Sequence, residues 1–336
     1  MTARTLVLGD GGWGTALALA LHRADRSVAV WSHDHDYAVD VAESRTNSKF
    51  LPGVEIPSEI LWTGDRDQAL EGVDEVYSVV PTQFLREVLR GFEGRLSGLS
   101  FVSATKGLEI DTLSRPSEIL VEEGGAGDDL VILSGPSHAE EVAKGMATSV
   151  VAASTSKDSA LRVQGRISGP DFRVYTSSDV PGVELGGALK NIIAVAAGVA
   201  EGLGLGDNAR AALVTRGLVE MARFAAIHGA ERETFSGLSG VGDLMVTCWS
   251  PHSRNRGLGL RIGQGESLDE ILASQEKVAE GVWTCRAVHQ AAVDQDLELP
   301  ITSRLFSILF EGEDPRASVG ELMSRPARSE RDPHPC

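Results

Sequence analysis

Short apolar-rich runs recur through the first half of the chain, at 5–8, 27–31, 75–80, 100–104, 130–133 and 148–153. The segments separating them, at 13–23, 82–91, 116–123 and 139–144, bring apolar residues back every three or four positions. Runs too short to be helices, yet apolar throughout, read as strands buried on both faces, with the intervening segments as the helices that cover them. This alternation predicts an α/β half with a mostly parallel sheet, closed by a strand at 172–176. After about Pro181 strand signals nearly vanish, and helical periodicity takes over at 183–202, 208–228, 254–262, 268–273, 281–294 and 303–311. The expected organisation is therefore a doubly wound, mostly parallel sheet domain over 1–180 and an all-helical domain over 181–325. A polar, proline-containing tail at 326–336 is expected to be flexible.

A chain of 336 residues has room for two such domains. Its net charge of −17 argues against nucleic acid or an anionic membrane as partner, because both select basic surfaces. Any phosphate must then be held at local positive sites. The three cysteines, Cys248, Cys285 and Cys336, lie far apart without metal-ligand spacing, so neither a disulfide framework nor a metal site is expected. Met1-Thr2-Ala3-Arg4 runs straight into the first strand without signal-peptide character, and the most apolar stretch, 192–200, reads as too short to cross a bilayer. These features predict a cytoplasmic protein without membrane insertion.

Gly9-Asp10-Gly11-Gly12-Trp13-Gly14 contains the pattern G-x-G-x-x-G, with a strand before it, a helix after it and a second strand ending near Trp31. That context makes a Rossmann-type dinucleotide site. Gly9 permits a tight turn, Gly11 lets backbone approach a pyrophosphate, and Gly14 lets helix and strand pack closely. The helix start offers unpaired N–H groups to the phosphates, which suits an acidic protein because no side-chain charge is needed. An acid at the end of the second strand bonds the ribose 2′-hydroxyl of NAD, whereas an Arg accepts the 2′-phosphate of NADP. Here the stretch is Trp31-Ser32-His33-Asp34: Asp34 suggests NAD, a protonated His33 could face a phosphate, and the choice of cofactor stays open.

Further candidates follow along the chain. Lys106, one of only six lysines, sits before Gly107 at a predicted strand end, where open α/β sheets bind ligands. Gly135 and Ser137 follow the next strand; Ser137 is expected to cap the helix behind it, with Glu140 completing a capping box. Lys190 stands in an apolar helical run with Gly186, Gly187, Ala194 and Ala197 at three, four or seven residues from it, so its face is nearly bare. A lysine buried there needs a partner or a task. Asp243, after Gly240-Val241-Gly242, can start a helix as its cap or pair with Lys190. Ser253-Arg254-Asn255 opens another helix and combines a capping hydroxyl, a guanidinium and free N–H groups, an anion site.

Taken together, GWGTALA, LPG, ATKGLE, LSGPSHAEEVA, ELGGALKNIIAVAAGVAEGLGLGDNARAAL, FSGLSGVGDL and SRNRGLG resemble the bacterial-type NAD(P)-dependent glycerol-3-phosphate dehydrogenase family, in order and spacing over nearly the whole chain. The resemblance implies reduction of dihydroxyacetone phosphate to sn-glycerol 3-phosphate for glycerophospholipid synthesis, with NAD or NADP as cofactor, and a homodimer. It implies that Lys190 is the catalytic lysine and that Lys106, Gly135, Ser137, Asp243, Ser253, Arg254 and Asn255 contact substrate. Gly12, Trp13, Ala139, Val278 and Glu280 match cofactor contacts, with Lys106 and Arg254 near both ligands. The chain departs from the family where Gly12 replaces a common Ser and His33 a common Arg, and GPSHA stands for GPSFA. Two other readings are weighed against this one. The first is a dehydrogenase of carboxylate-bearing hydroxy acids with the same lysine-on-a-helix design; the second is a dinucleotide sensor without turnover.

Overall fold

The computed structural model describes residues 4–274, 280–327 and 329–330. The chain divides into two compact units, Met1–Glu109 with Ser114–Glu184, and Ile110–Leu113 with Leu185–Cys336.

In the first unit strands and helices alternate: β1 (Arg4–Leu8), α1 (Gly12–Arg23), β2 (Ser27–Trp31), α2 (His35–Ser44), then β3 (Thr46–Asn47), β4 (Leu51–Glu55) and β5 (Leu61–Thr63). The chain continues through α3 (Arg66–Leu70), β6 (Val73–Ser78), α4 (Thr82–Arg90), β7 (Ser100–Ser103), α5 (Pro116–Gly124) and β8 (Val131–Ser134). It ends with α6 (Ala139–Ala143), β9 (Thr148–Ala153), α7 (Lys157–Ile167) and β10 (Phe172–Ser177).

Eight strands form one sheet in the order β10-β9-β8-β7-β6-β1-β2-β5, and β3 pairs antiparallel with β4 apart from it. Every pairing in the large sheet is parallel except β8 with β9, where Ile132 lies opposite Ala153. Successive side chains along a strand point to opposite faces, and here both faces are apolar. Val7, Val28, Val30, Tyr77 and Val102 pack into one layer. Leu6, Leu8, Ala29, Trp31, Val76 and Phe101 pack into the other. Leu17 and Leu21 of α1 close the first layer, and Leu85, Leu89, Ile119 and Leu120 of α4 and α5 close the second. The two-sided burial explains why these strands are apolar runs rather than alternating ones.

The second unit is helical: α8 (Val180–Gly202, begun in the first unit), α9 (Gly206–Ile227), α10 (Asp243–Trp249), α11 (Arg254–Gly263), α12 (Leu268–Ser274), α13 (Glu280–Asp294), α14 (Pro300–Phe310) and α15 (Pro315–Ser324). A 3₁₀ turn at Arg232–Ser236 and a π-helical turn at Leu238–Gly242 precede α10. The expectation that the apolar stretch at 192–200 is too short to cross a bilayer is corrected. By length and composition α8, at 23 residues, is long and apolar enough. Its apolar window is wholly buried in the fold, as the central helix of a helical core requires. Glycines let α8 and α11 meet backbone to backbone: a Cβ at Gly202 would lie 2.8 Å from Gly263 Cα, and one at Gly198 would lie 2.8 Å from the Leu260 nitrogen.

Several elements exceed the sequence reading, namely α2, α3, α7, α10, α15 and the strands β3, β4 and β5. Of α2 only Ala38 and Val41 are buried, too few to print an apolar stripe. Of the expected tail only 326–327 and 329–330 are described; there the Glu330 carbonyl accepts from Arg216 (3.3 Å).

Candidate active site

The strand order reverses at β1, since the chain moves outward through β2 and β5 on one side and through β6 onward on the other. Open α/β sheets bind ligands beyond the carboxyl ends of the strands at such a point. The glycine turn stands there. Gly9 donates to the Trp31 carbonyl (3.1 Å), and Val79 donates to the Leu8 carbonyl (3.0 Å).

Three glycines of the turn answer to three different constraints. Gly9 has φ of +116°, which side chains oppose, and a Cβ there would press on the backbone of Val79 and Val80 at 3.2 Å. Gly14 holds α1 against the start of the turn: a Cβ would come within 3.1 Å of the Gly9 carbonyl carbon. Gly11 obeys neither rule. Its φ is −61° and a Cβ on it would meet no protein atom within 4 Å. Nothing in the protein's own packing demands glycine at this position, whereas a ligand lying against the backbone does. No side chain caps α1 and no acid stands in its first turn, so its leading N–H groups are left to a ligand. These residues fit the pyrophosphate of a dinucleotide. Gly12 sits under the Phe50 carbonyl, where a Cβ would be 2.9 Å away, and beside the Ala139 side chain at 3.7 Å. Trp13 follows it half-buried, and His33 is exposed just past β2.

The sequence reading gave the acid at this edge as Asp34. In the structure Asp34 is the N-cap of α2, and its Oδ1 accepts from the Tyr37 N–H (3.0 Å). A carboxylate that the sequence reading passed over lies at the turn itself. Asp10 is 6% exposed, and Ser32 Oγ donates to its Oδ2 at 2.7 Å. Burial raises its carboxyl above the usual range, partly offset by that hydrogen bond. The signal was available, since an acid inside a glycine fingerprint is an unusual place to bury a charge.

On the same unit Lys106, Gly135 and Ser137 come together. Lys106 Nζ donates to the Gly135 carbonyl (3.1 Å), and Ser137 Oγ donates to that same oxygen (3.1 Å). The Lys106 loop is pinned to the start of α4, where Thr82 Oγ1 donates to the Lys106 carbonyl (3.2 Å) and Gln83 Nε2 to that of Leu108 (2.7 Å). The expected capping box at Ser137 is not formed. α6 starts one residue later behind His138 without a side-chain cap, because the Ser137 hydroxyl turns back to the carbonyl of Gly135, whose φ is +145°.

In the helical unit Lys190 is 7% exposed. Its Nζ donates to Asp243 Oδ1 (2.5 Å) and to Thr247 Oγ1 (2.9 Å). The bare face of α8 explains how. Gly186, one turn before Lys190, lets the Ser239 backbone come so close that a Cβ would lie 3.2 Å from the Ser239 carbonyl carbon. The chain then enters α10 and delivers Asp243 one turn further along. Asp243 is 1% exposed and opens α10, yet its carboxylate serves Lys190. Thr247 was missed because α10 was not foreseen; it lies four residues after Asp243, on the same helix face. Its hydroxyl donates to the Asp243 carbonyl (2.6 Å), which leaves a lone pair for Nζ. Burial pushes the neighbouring Cys248 thiol up to about 12, so it stays protonated at neutral pH.

Ser253 caps α11 by accepting from the Arg256 N–H (3.2 Å), as its position predicts, and Arg254 is exposed at the helix start. Asn255 Oδ1 accepts from the Gly281 N–H (2.9 Å) at the start of α13, next to Glu280. Val278, assigned a cofactor contact from sequence, lies outside the described residues.

A switch-point glycine turn open to an anion in one unit, and a buried lysine paired with an acid in the other, define a dinucleotide-dependent oxidoreductase. The family described as NAD-dependent glycerol-3-phosphate dehydrogenase matches with its N-terminal part over residues 5–160 and with its C-terminal part over 179–320. The glycerol-3-phosphate dehydrogenase (NAD(P)+) of Oceanobacillus iheyensis is 48% identical over 98% of this chain and 96% of its own. That of Geobacillus kaustophilus is 47% identical over 97% and 96%. Among solved structures, the glycerol-3-phosphate dehydrogenase of Coxiella burnetii superposes with a TM-score of 0.91 at 37% identity, covering 96% of this chain and 99% of that one. The chain belongs to the NAD-dependent glycerol-3-phosphate dehydrogenase family.

Proposed function

We infer that this chain interconverts dihydroxyacetone phosphate and sn-glycerol 3-phosphate with NAD(H) or NADP(H), and that Lys190 is its acid and base. The carrying observation is the Lys190 ammonium, buried and held by Asp243 and Thr247 on a helix made mostly of apolar and small residues. A bound nicotinamide dinucleotide supplies a hydride to the ketone carbon. Negative charge then grows on the carbonyl oxygen, where an oriented ammonium stabilises it and hands over a proton. In oxidation neutral Lys190 takes that proton back, while Asp243 and Thr247 keep the amine aimed.

The glycine turn (Gly9, Gly11, Gly12, Gly14) and the start of α1 hold the pyrophosphate in this reading. Trp13, His33, Ala139 and Glu280 are assigned to the cofactor by their motifs, with Lys106 and Arg254 serving both ligands. Gly135, Ser137, Ser253 and Asn255 join Lys190 and Asp243 as substrate contacts. Arg254 at the start of α11 takes the substrate phosphate, through guanidinium hydrogen bonds that the helix end reinforces. A cytoplasmic, homodimeric enzyme feeding glycerophospholipid synthesis completes the reading.

The experiment is ketone reduction by the purified chain, followed at the nicotinamide absorbance with dihydroxyacetone phosphate and either dinucleotide. Oxidation of 3-hydroxy acids is run in parallel. Turnover on the phosphorylated ketone is the expected result; turnover on hydroxy acids alone would move the chain to the carboxylate-specific reading. Dinucleotide binding with no turnover on any substrate would leave only a sensor.

A further inference from the structure

The edge of the sheet that reads the adenosine ribose lacks its usual acid. β2 ends at Trp31, the next residue is the uncharged Ser32, and Asp34 is committed to capping α2. The carboxylate arrives instead from the neighbouring loop. Asp10 follows β1 in the glycine turn, and Ser32 Oγ, just past the end of β2, donates to it at 2.7 Å. We propose that Asp10 is the residue that selects the cofactor, favouring a dinucleotide with a free ribose 2′-hydroxyl over one with a 2′-phosphate. The proposal rests on the reading of the glycine turn as the dinucleotide site.

Three observations carry it. The first is that Asp10 is fixed rather than loose. Its backbone carbonyl accepts from Asn47 Nδ2 (2.7 Å), which also donates to Thr15 Oγ1 (2.8 Å) inside α1. The second is spare capacity. Among the described residues Ser32 is the one side chain that donates to the carboxylate, and an ionised carboxylate has room for about four donors. A ribose hydroxyl can fill one of them. The third is the sign of the surroundings. The ionisable groups that act on Asp10 are His33 and Asp34, and the stretch Ser32–Tyr37 that follows β2 holds no Arg or Lys of the kind that accepts a 2′-phosphate. A phosphate placed there would meet a carboxylate in a poorly solvated corner, where repulsion of like charges is far less screened than in water.

The test is dinucleotide binding, read by protein and nicotinamide fluorescence without turnover, on the wild-type chain, Asp10→Asn and Asp10→Ala. The wild type should bind NADH at least about tenfold tighter than NADPH. Both variants should shrink that ratio severalfold, chiefly by binding NADPH more tightly. The alanine variant serves as the second readout should the asparagine, left with its amide facing the Ser32 hydroxyl, disturb folding. ADP-ribose and its 2′-phosphorylated form, used as competitors, should show the same ratio and so place the effect at the ribose. Equal affinities in the wild type, or an unchanged ratio in a folded variant, overturn the role of Asp10 while leaving the dinucleotide site standing. No binding of either dinucleotide overturns both.

Discussion

In the helical unit two buried ionisable side chains, Lys190 and Glu220, differ in what they face. Lys190 of α8 meets another ionisable group, Asp243, and a hydroxyl. Glu220 of α9 meets the start of α14: it accepts from the N–H groups of Ile301 (2.6 Å) and Thr302 (3.1 Å) and from Thr302 Oγ1 (3.1 Å). Glu184 does the same for α5 in the first unit, accepting from the Ser117 N–H (2.8 Å) and Oγ (2.7 Å). The glutamates answer a debt of the backbone, since a buried helix start leaves N–H groups that must find acceptors. Their titration is perturbed by burial, up to about 7 in both cases, yet neither is a candidate for chemistry. A shifted carboxyl is therefore a weak signal of function in this fold. The better signal is a buried group whose partner can itself give or take a proton.

That contrast predicts opposite failures. Lys190→Met should cut turnover by about a thousandfold or more, while NADH still quenches protein fluorescence with its wild-type affinity. Near-normal turnover would remove Lys190 from the mechanism. Glu220→Ala should do the reverse. It strands two backbone donors and opens a void, costing roughly 3 kcal/mol in urea unfolding, and leaves turnover of the folded fraction within about twofold. Loss of activity in folded protein would erase the distinction. Arg254 is the third case, an exposed charge at a helix start. Arg254→Ala should raise the KM for the phosphorylated substrate about 10- to 100-fold, the worth of a charged hydrogen bond, and weaken NADH binding far less. Equal losses for both ligands would assign Arg254 to the cofactor.

Much of this was legible in the sequence. The strands of the first unit print themselves as apolar runs because both sheet faces are covered, and the glycine turn prints itself because three separate demands fall within six residues. Lys190 was legible because small residues surround it at helical spacing, and the structure fills that bare face with the backbone leading to Asp243. What stayed hidden depended on partners remote in sequence. Thr247 belongs to a seven-residue helix with too few turns to show a period. Asp10 and Ser32 are 22 positions apart, and only the parallel pairing of β1 with β2 makes them neighbours. Ser137 had the right residue type and spacing for a cap, yet the turn at Gly135 took its hydroxyl first.

The smallest effect tests the comparison most finely, because it asks whether Glu220 is only structural. Its carboxyl titrates near 7 in the folded chain, against an ordinary value of 4.5. A folded-state pKa above the unfolded one means that the folded protein binds the proton more tightly. The stabilising contribution is then fully present below about pH 4.5 and is lost as pH rises through about 7. Glu220→Gln keeps an acceptor for the amides of α14 and removes the proton. Relative to this variant, the wild type should lose stability on going from pH 5 to pH 8, by on the order of 2–3 kcal/mol. The remaining titrating groups, Glu184 included, cancel in the difference. Urea unfolding of both proteins at the two pH values measures it, and kcat at pH 8 should be the same for both. A wild type that gains stability on the variant as pH rises would mean that the charged carboxylate is the favoured form, with the helix start worth more to it than burial costs. Glu220 would then resemble Asp243 more than the geometry around α14 allows.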